Sequence, residues 1–412
     1  MSDITAIGDI TQAREQLQAH GWIARSCEPF RHLPPPAPEQ WLGTQQPAAP
    51  SDTTDWHVQV QEGATQVQIQ HLSALDAVQR RSLLADLPQP QGDAAPFAWA
   101  HRALCRQGLR IQVAASTDGR PVRLHVQHLA QLAVDAPLLV LDIAPGAHCL
   151  LLHTARRAAG LTQITQNLHM HIRLGAGARL QHLRIADVQA DDRLAHVQHV
   201  EVADNARYHQ ALCTSGCAYQ LQRSDIQLQG PGAQARHAGL LLNSHQRQVD
   251  QQVLVRHNAP NTDSHVQVLG LGSGKSRTVG NSFAFIAPGA RDANVHQRLW
   301  GIALDGQPRM TLRPHLEILH DQVQATHGAT WGALPADALF YAQQRGLDTA
   351  TARGLIIEGM ARALLERALP AAEAEGEEEA AGAASPLLED WLQGTWLGEA
   401  IQQTMLTPQE AT

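Results

Sequence analysis

The feature that most limits what this chain can become is a turn that returns about every 28 residues. APGAH around Gly146, GAGAR around Gly177, ADNAR around Asn205, GPGAQ around Gly232, APNTD around Asn261 and APGAR around Gly289 each carry a residue tolerant of left-handed backbone angles. Their successive separations are 31, 28, 27, 29 and 28 residues. Between and around them lie runs such as VRLHVQHL, HMHIRL, RLQHLRI, HVQHVEV and HVQVLGL, which alternate apolar and polar residues over four to eight positions. A fixed period with two or more short strands per repeat is what a solenoid of stacked strands needs, because each coil must return the chain to the same corner. A parallel β-helix fits this best. A large β-sandwich, with turns about every 8 to 12 residues, would reproduce the period only through coincident multiples.

The flanks obey other rules. Residues 10–24 contain the short helical pattern AREQLQAHGWIA, and the Pro-rich HLPPPAP that follows forbids helix and favours an extended linker. WHVQVQEG and TQVQIQHL then alternate as a hairpin with one buried face would, and a helix is expected from about Leu75 to Leu87. After Asp337 the chain turns helical: ADALFYAQQRG stops at Gly346, and TATARGLIIEGMARALLERAL reads as an amphipathic helix opened by Thr349. The acidic stretch 371–385 reads as a solvated linker before a last helical segment, PLLEDWLQGTWLGEAIQQTML. The expected division is a mixed, largely helical N-terminal cap with its Pro-rich linker at 1–105, a β-helix core at 106–325 and a C-terminal helical domain at 326–412. The fold class is mainly β with helical ends.

Composition removes several functions. A net charge of -8, with Lys275 the only lysine, argues against a general nucleic-acid binder, which needs excess cations to displace counterions. No run approaches the roughly 18 apolar residues of a membrane span, and the N-terminus shows no apolar leader. The chain therefore reads as cytosolic, and its five scattered cysteines as reduced thiols. Aromatic residues make up only 4%, so large aromatic cores are not expected.

Three motifs invite chemistry. GLGSGKSRT has a phosphate-loop look, but Leu269 stands where the first glycine of that motif belongs and a strand-like TVGNSFAFIA follows Lys275, so a glycine-rich turn of the solenoid is the better reading. Of the 23 histidines, His169 and His171 share one face of a strand, and Cys213 and Cys217 lie four apart, yet neither pair completes a ligand set. Histidines scattered on alternating strands read as solvent-facing. A β-helical carbohydrate-active enzyme would need a pair of carboxylates, and Asp191 and Asp192 read as a plain solvated loop.

The segments VRHNAPNTDSH, APGARDANVHQRLWGIAL and RPHLEILHDQVQATHGATWGALPADALFYAQQRGLDTATARGLII, between Val255 and Ile357, resemble the C-terminal half of the SufB/SufD family, nearer its SufD branch. HGATWGALPADALFYAQQRG is the most specific part. The resemblance implies a right-handed parallel β-helix flanked by helical regions. It also implies a non-catalytic scaffold of a cytoplasmic iron-sulfur cluster assembly complex. Such a scaffold pairs with a SufB paralogue through the β-helix and holds a SufC ABC-type ATPase on its C-terminal helices. No tightly bound cofactor is implied, only transient contact with iron or a nascent cluster. The candidate residues are His327 at the paralogue interface and Leu339, Phe340, Tyr341, Arg345 and Gly346 for the ATPase. Relatives often carry a cysteine where this chain has Ala325, so no thiolate can be offered there. Two readings of His327 stay open: a ligand or proton acceptor at the interface, or one residue of a turn joining the last coil to the helices. Phe340 and Tyr341 likewise either face a partner or pack their own domain. Alone, the chain is expected to self-associate through its exposed strand edge.

Overall fold

The computed structural model describes residues 10–43, 55–370 and 385–405, apart from positions 63, 118 and 187. The strands are β1 (Trp56–Val60), β2 (Val67–His71), β3 (Gly108–Val113), β4 (Val122–Ala130), β5 (Val134–Asp135), β6 (Leu138–Ile143), β7 (His148–Arg157), β8 (Thr165–Leu174), β9 (Arg179–Ala186) and β10 (Arg193–Val202). They continue as β11 (Arg207–Thr214), β12 (Tyr219–Leu228), β13 (Gln234–Asn243), β14 (Gln248–His257), β15 (Asp263–Gly272), β16 (Arg277–Ile286), β17 (Ala293–Ala303), β18 (Arg309–Ile318) and β19 (Val323–Gly332). From β6 onward the chain alternates between two sheets. One sheet is ordered β1-β4-β7-β9-β11-β13-β15-β17-β19 and the other β18-β16-β14-β12-β10-β8-β6-β3-β2, with β5 beside β8. Every pairing within the coils is parallel, which gives a β-solenoid of about eight turns with helices at both ends, as expected. Most of its strands are eight to eleven residues, longer than the runs visible in the sequence.

The recurring turn is the corner of each coil. Gly146, Gly177, Asn205, Gly232, Asn261 and Gly289 all have positive φ, between 53° and 86°. There, each turn's N–H reaches the carbonyl of the next coil's turn, as in Gly177 to Asp204 at 2.8 Å and Asn205 to Pro231 at 2.9 Å. A β-branched residue at these positions would strain the backbone and break that stack. The opposite corner uses Gly216, His245, Gly274 and Gly306 in the same conformation, so GLGSGKSRT is indeed a solenoid turn.

The interior is two-toned. Ile172, Val200, Ile226, Val255 and Ala284 stack in register as an aliphatic row. On the facing sheet a second row runs His182, Gln210, His237, Val266 and Gln297, all buried. Its polar members bond within the row and across to the other sheet: His237 Nδ1 lies 3.0 Å from Gln210 Oε1, and Gln198 Nε2 of β10 donates to Gln210 Oε1 at 2.7 Å. Buried polar groups persist only when paired, and these pairs tie one coil to the next and one sheet to the other.

Helices cover the outer faces. Over the sheet of even strands lie α1 (Ile10–His20), α2 (Glu39–Leu42), α3 (Ala77–Ala85) and α4 (Ala95–Leu104). Trp41, Phe97 and Tyr219 meet there edge to face, with Phe97 and Trp41 centroids 5.0 Å apart. Trp22, Phe30, Trp41, Phe97, Trp99 and Tyr219 form one small aromatic cluster there, while the other aromatics are spread over the chain. Over the odd strands lie α5 (Ala336–Gln344), α6 (Thr349–Ala368), α7 (Pro386–Leu392) and α8 (Trp396–Met405), where Leu364, Leu365 and Ile401 pack on Leu240, Leu242 and Leu269. No described helix is long and apolar enough to cross a membrane.

Several expectations fail for definable reasons. The proposed hairpin does not form: β1 runs antiparallel to β4 and β2 antiparallel to β3, each closing the exposed edge of a different sheet. Alternation reveals a half-buried strand but not its partner. Ten of the 23 histidines are buried inside, among them His101, His128, His153, His169, His171, His182, His196 and His237. Asp192 is buried too, accepting from Arg157, Ile164 N and Gln189 N at 2.8 to 3.0 Å. It anchors a turn and is not a solvated loop residue. The α6 cap is Asp348, whose carboxylate accepts from Ala350 N and Thr351 N, with Thr349 already helical. The last helical segment is broken into α7 and α8. The acidic stretch falls, except for Ser385, outside the described residues.

Candidate functional site

The solenoid ends at β18 and β19, whose outer edges carry no further strand among the described residues. A strand edge presents unpaired N–H and C=O groups, a ready template for another chain. Here both edges are ten residues long. Around them Ile318, Leu319 and Trp331 are exposed, Trp331 at 59%.

His327 lies in the middle of β19, so HGAT is strand and not the turn that one reading supposed. Its register partner is the buried Gln297, beyond which come Val266, His237, Gln210 and His182. Side chains in register point to the same side of a parallel sheet. His327 therefore continues the interior polar row at the one position where no later coil covers it, and it is exposed. Ala325 is in register with Val295, at a site that holds a methyl where a thiolate would need room and polarity.

Beside it a cleft of about 390 Å³ is lined by His265, His296, Arg298, Thr326, His327 and Thr330. The His265 and His296 rings stack at 4.6 Å, His265 Nε2 lies 3.3 Å from Asp263 Oδ1, and His296 Nδ1 lies 2.6 Å from Thr326 Oγ1. Arg298 is spread over Trp300 at 4.2 Å. Sequence reasoning missed this histidine pair; its separation of 31 residues, one coil, was the available signal. On β18, partial burial and the nearby Arg313 guanidinium hold His315 below the usual imidazole range. Arg313 itself pairs with Glu28, tying the N-terminal cap to the last coil. No group of three or more His, Cys, Asp or Glu suited to a metal ion occurs among the described residues. His169 and His171 are buried under α4, with the His169 ring tilted against that of His101, centroids 4.3 Å apart. Cys213 and Cys217 are buried thiols, both pushed up by desolvation.

The second candidate surface sits on α5. Phe340 and Tyr341 are 63% and 59% exposed, so they do not pack their own domain. Leu339 alone of the three turns inward, against the core beneath α6. Arg345 covers Tyr341, its guanidinium carbon 4.4 Å from the ring centroid, and Gly346 ends the segment at φ +85°. The structure thus brings Phe340, Tyr341, Arg345 and Gly346 together at the end of one short helix. His327 lies apart from them on β19.

Residues 127–360, more than half of the chain, match the family described as SUF system FeS cluster assembly, SufBD core domain. The chain belongs to the SufB/SufD family. It is 24% identical over 243 residues to the iron-sulfur cluster assembly protein SufD of Escherichia coli (strain K12), covering 59% of this chain and 54% of that one. It is 24% identical over 212 residues to an iron-sulfur cluster assembly SufBD family protein of Synechocystis, covering 51% and 46%. A shorter stretch, 33% identical over 78 residues, matches the chloroplastic protein ABCI7 of Arabidopsis thaliana, covering 19% and 16%. The chain spans about half the length of the first two of these relatives.

Proposed function

We propose that this chain is a non-catalytic scaffold in iron-sulfur cluster assembly, working in the cytoplasm. It pairs with a SufB-type paralogue along the free edges of β18 and β19 and holds a SufC-type ATPase on Phe340, Tyr341, Arg345 and the Gly346 turn. The observation that carries this reading is the open end of the solenoid: two long unpaired edges in a member of this family, flanked by exposed Ile318, Leu319 and Trp331. Aromatic and Arg anchors dominate many interfaces, which supports α5 as the ATPase surface. Of the expected limits 1–105, 106–325 and 326–412, the first division is kept for cap and pairing body, while the second moves to Gly332, because β19 with His327 belongs to the pairing body and the ATPase platform follows it. The rival reading, a β-helical carbohydrate-active enzyme, finds no carboxylate pair in Asp191 and Asp192, since Asp192 is buried in a turn with its oxygens occupied.

His327 is proposed to meet iron or a nascent cluster as passing substrate, with imidazole as the soft ligand in place of the absent thiol. The test is the ternary complex. After co-expression with the paralogue and the ATPase, His327→Ala should leave all three chains co-purifying while iron and sulfide per complex fall. Normal iron and sulfide with a melting temperature slightly reduced would remove His327 from the chemistry. Failure of the wild-type chain to retain either partner would overturn the scaffold reading itself.

A further inference from the structure

Arg184, in β9, is a cation deep inside the solenoid. Its side chain is fully buried, and no carboxylate pairs with it among the described residues. Nη1 lies 2.9 and 3.0 Å from the two ring nitrogens of His153, of which a neutral imidazole can offer only one as acceptor. Nε and Nη2 have no partner among the described residues. The neighbouring rings of His128, His182 and His196 are kept neutral, first by burial and then by the Arg184 charge itself. Tyr208 is held neutral by burial. A guanidinium does not shed its proton at neutral pH, and an isolated buried charge is costly unless an opposite charge accompanies it.

The structure supplies a place for that charge. A small cavity of about 30 Å³ is bounded by Arg184, Gln166, Ala186 and Leu194. That exceeds the roughly 10 to 15 Å³ that one water needs, so a small anion fits beside the guanidinium. Its mouth is cationic: Arg156, Arg157 and Arg193 line it, and the acid among the lining residues, Asp192, is already paired with Arg157 at 3.0 Å.

We propose that this cavity binds a small monovalent anion, a halide or hydrosulfide, against the free N–H groups of Arg184. The site lies well inside the stack, in β9, ten strands before the edge strand β19, and is independent of the partner reading given above. Bromide is the probe. Melting temperature should rise by about 2 °C between gluconate, which is too large to enter, and an equal concentration of bromide. Bromide otherwise weakens folded proteins, so the direction is diagnostic. Anomalous diffraction from bromide-grown crystals should place the ion within hydrogen-bond reach of Arg184 Nε or Nη2. In Arg184→Met the bromide effect should vanish. Equal melting in the two salts with only water at Arg184 would overturn the proposal, as would a bromide effect that persists in Arg184→Met. If that variant does not fold, the wild-type diffraction experiment decides alone. Anaerobic hydrosulfide displacing bromide assigns the site to sulfide species; failure to displace assigns it to halides.

Discussion

β8 and β19 are both ten residues long, and both mix polar with apolar side chains. TQNLHMHIRL is buried at nine of ten positions and VQATHGATWG at none. The difference lies in what stacks against them. β8 has β6 on one side, β10 on the other and α4 across its outer face, whereas β19 has a neighbour on one edge only. In a solenoid each coil is stabilised chiefly by its neighbours, so the same kind of strand is core in the middle and interface at the end.

Acid should separate the two regions most strongly. Burial holds His101, His128, His182, His209 and His237 at about 3 in the folded chain, against about 6.5 when unfolded. As pH falls the unfolded chain takes up protons first, so their contribution is complete above about 6.5 and drains away toward 3, by up to about 1.4 kcal/mol per histidine for each pH unit. Asp135 and Asp250 work the other way. Burial raises them to about 7 and about 8, so their contribution is complete below about 4 and drains away as pH climbs from there to those values. With five histidines against two acids, stability should peak near neutral pH and collapse between about 6 and 4. None of these groups lies on β18 or β19. Circular dichroism melts that stayed constant from pH 7 to 4.5 would show that the buried histidines are not neutral in the folded chain.

Truncation sharpens the contrast. Leu241→Ala, in β13, removes a fully buried side chain and should lower unfolding free energy by about 2 to 5 kcal/mol. Ile318→Ala, at the end of β18, should stay within about 0.5 kcal/mol in the isolated chain. Its effect should appear instead in association. Light scattering should detect a dimer of the isolated wild-type chain at high concentration, and Ile318→Lys should shift it toward monomer. A strictly monomeric wild-type chain at crystallisation concentrations would mean that the edges are not adhesive. Smallest of all in stability, Arg345→Ala should move the melting curve by no more than about 0.5 kcal/mol while weakening ATPase binding. An unchanged binding curve would take Arg345 off that surface.

The corners were legible because Gly146, Gly177 and their successors answer to a local steric rule that no tertiary contact overrides. The helices α5 and α6 were legible for a similar reason, through Gly346 and the capping region at its start. What was hidden is whatever depends on the second neighbour. Asp192 looks like any loop acid until Ile164 and Arg157, about one coil away, reach it. His182 and His237 look like surface residues because alternation shows which side chains share a face, but not whether that face is wet. The cleft at His265 and His296 was hidden in the same way, and only the register that brings two coils together reveals it. Helix α4 escaped notice because APFAWAHRAL is short and opens with Pro96.

One feature of the C-terminal helices bears on mechanics. α6 lies across β11, β13 and β15, and α7 reaches β7 and, through Asp390 and Arg123 at 2.9 Å, β4. A stack held only by neighbour-to-neighbour contacts would flex like a spring under load. A helix fastened to several coils at once works as a splint, so a push delivered at α5 would turn the stack as one stiff lever and arrive at β18 and β19 undiminished.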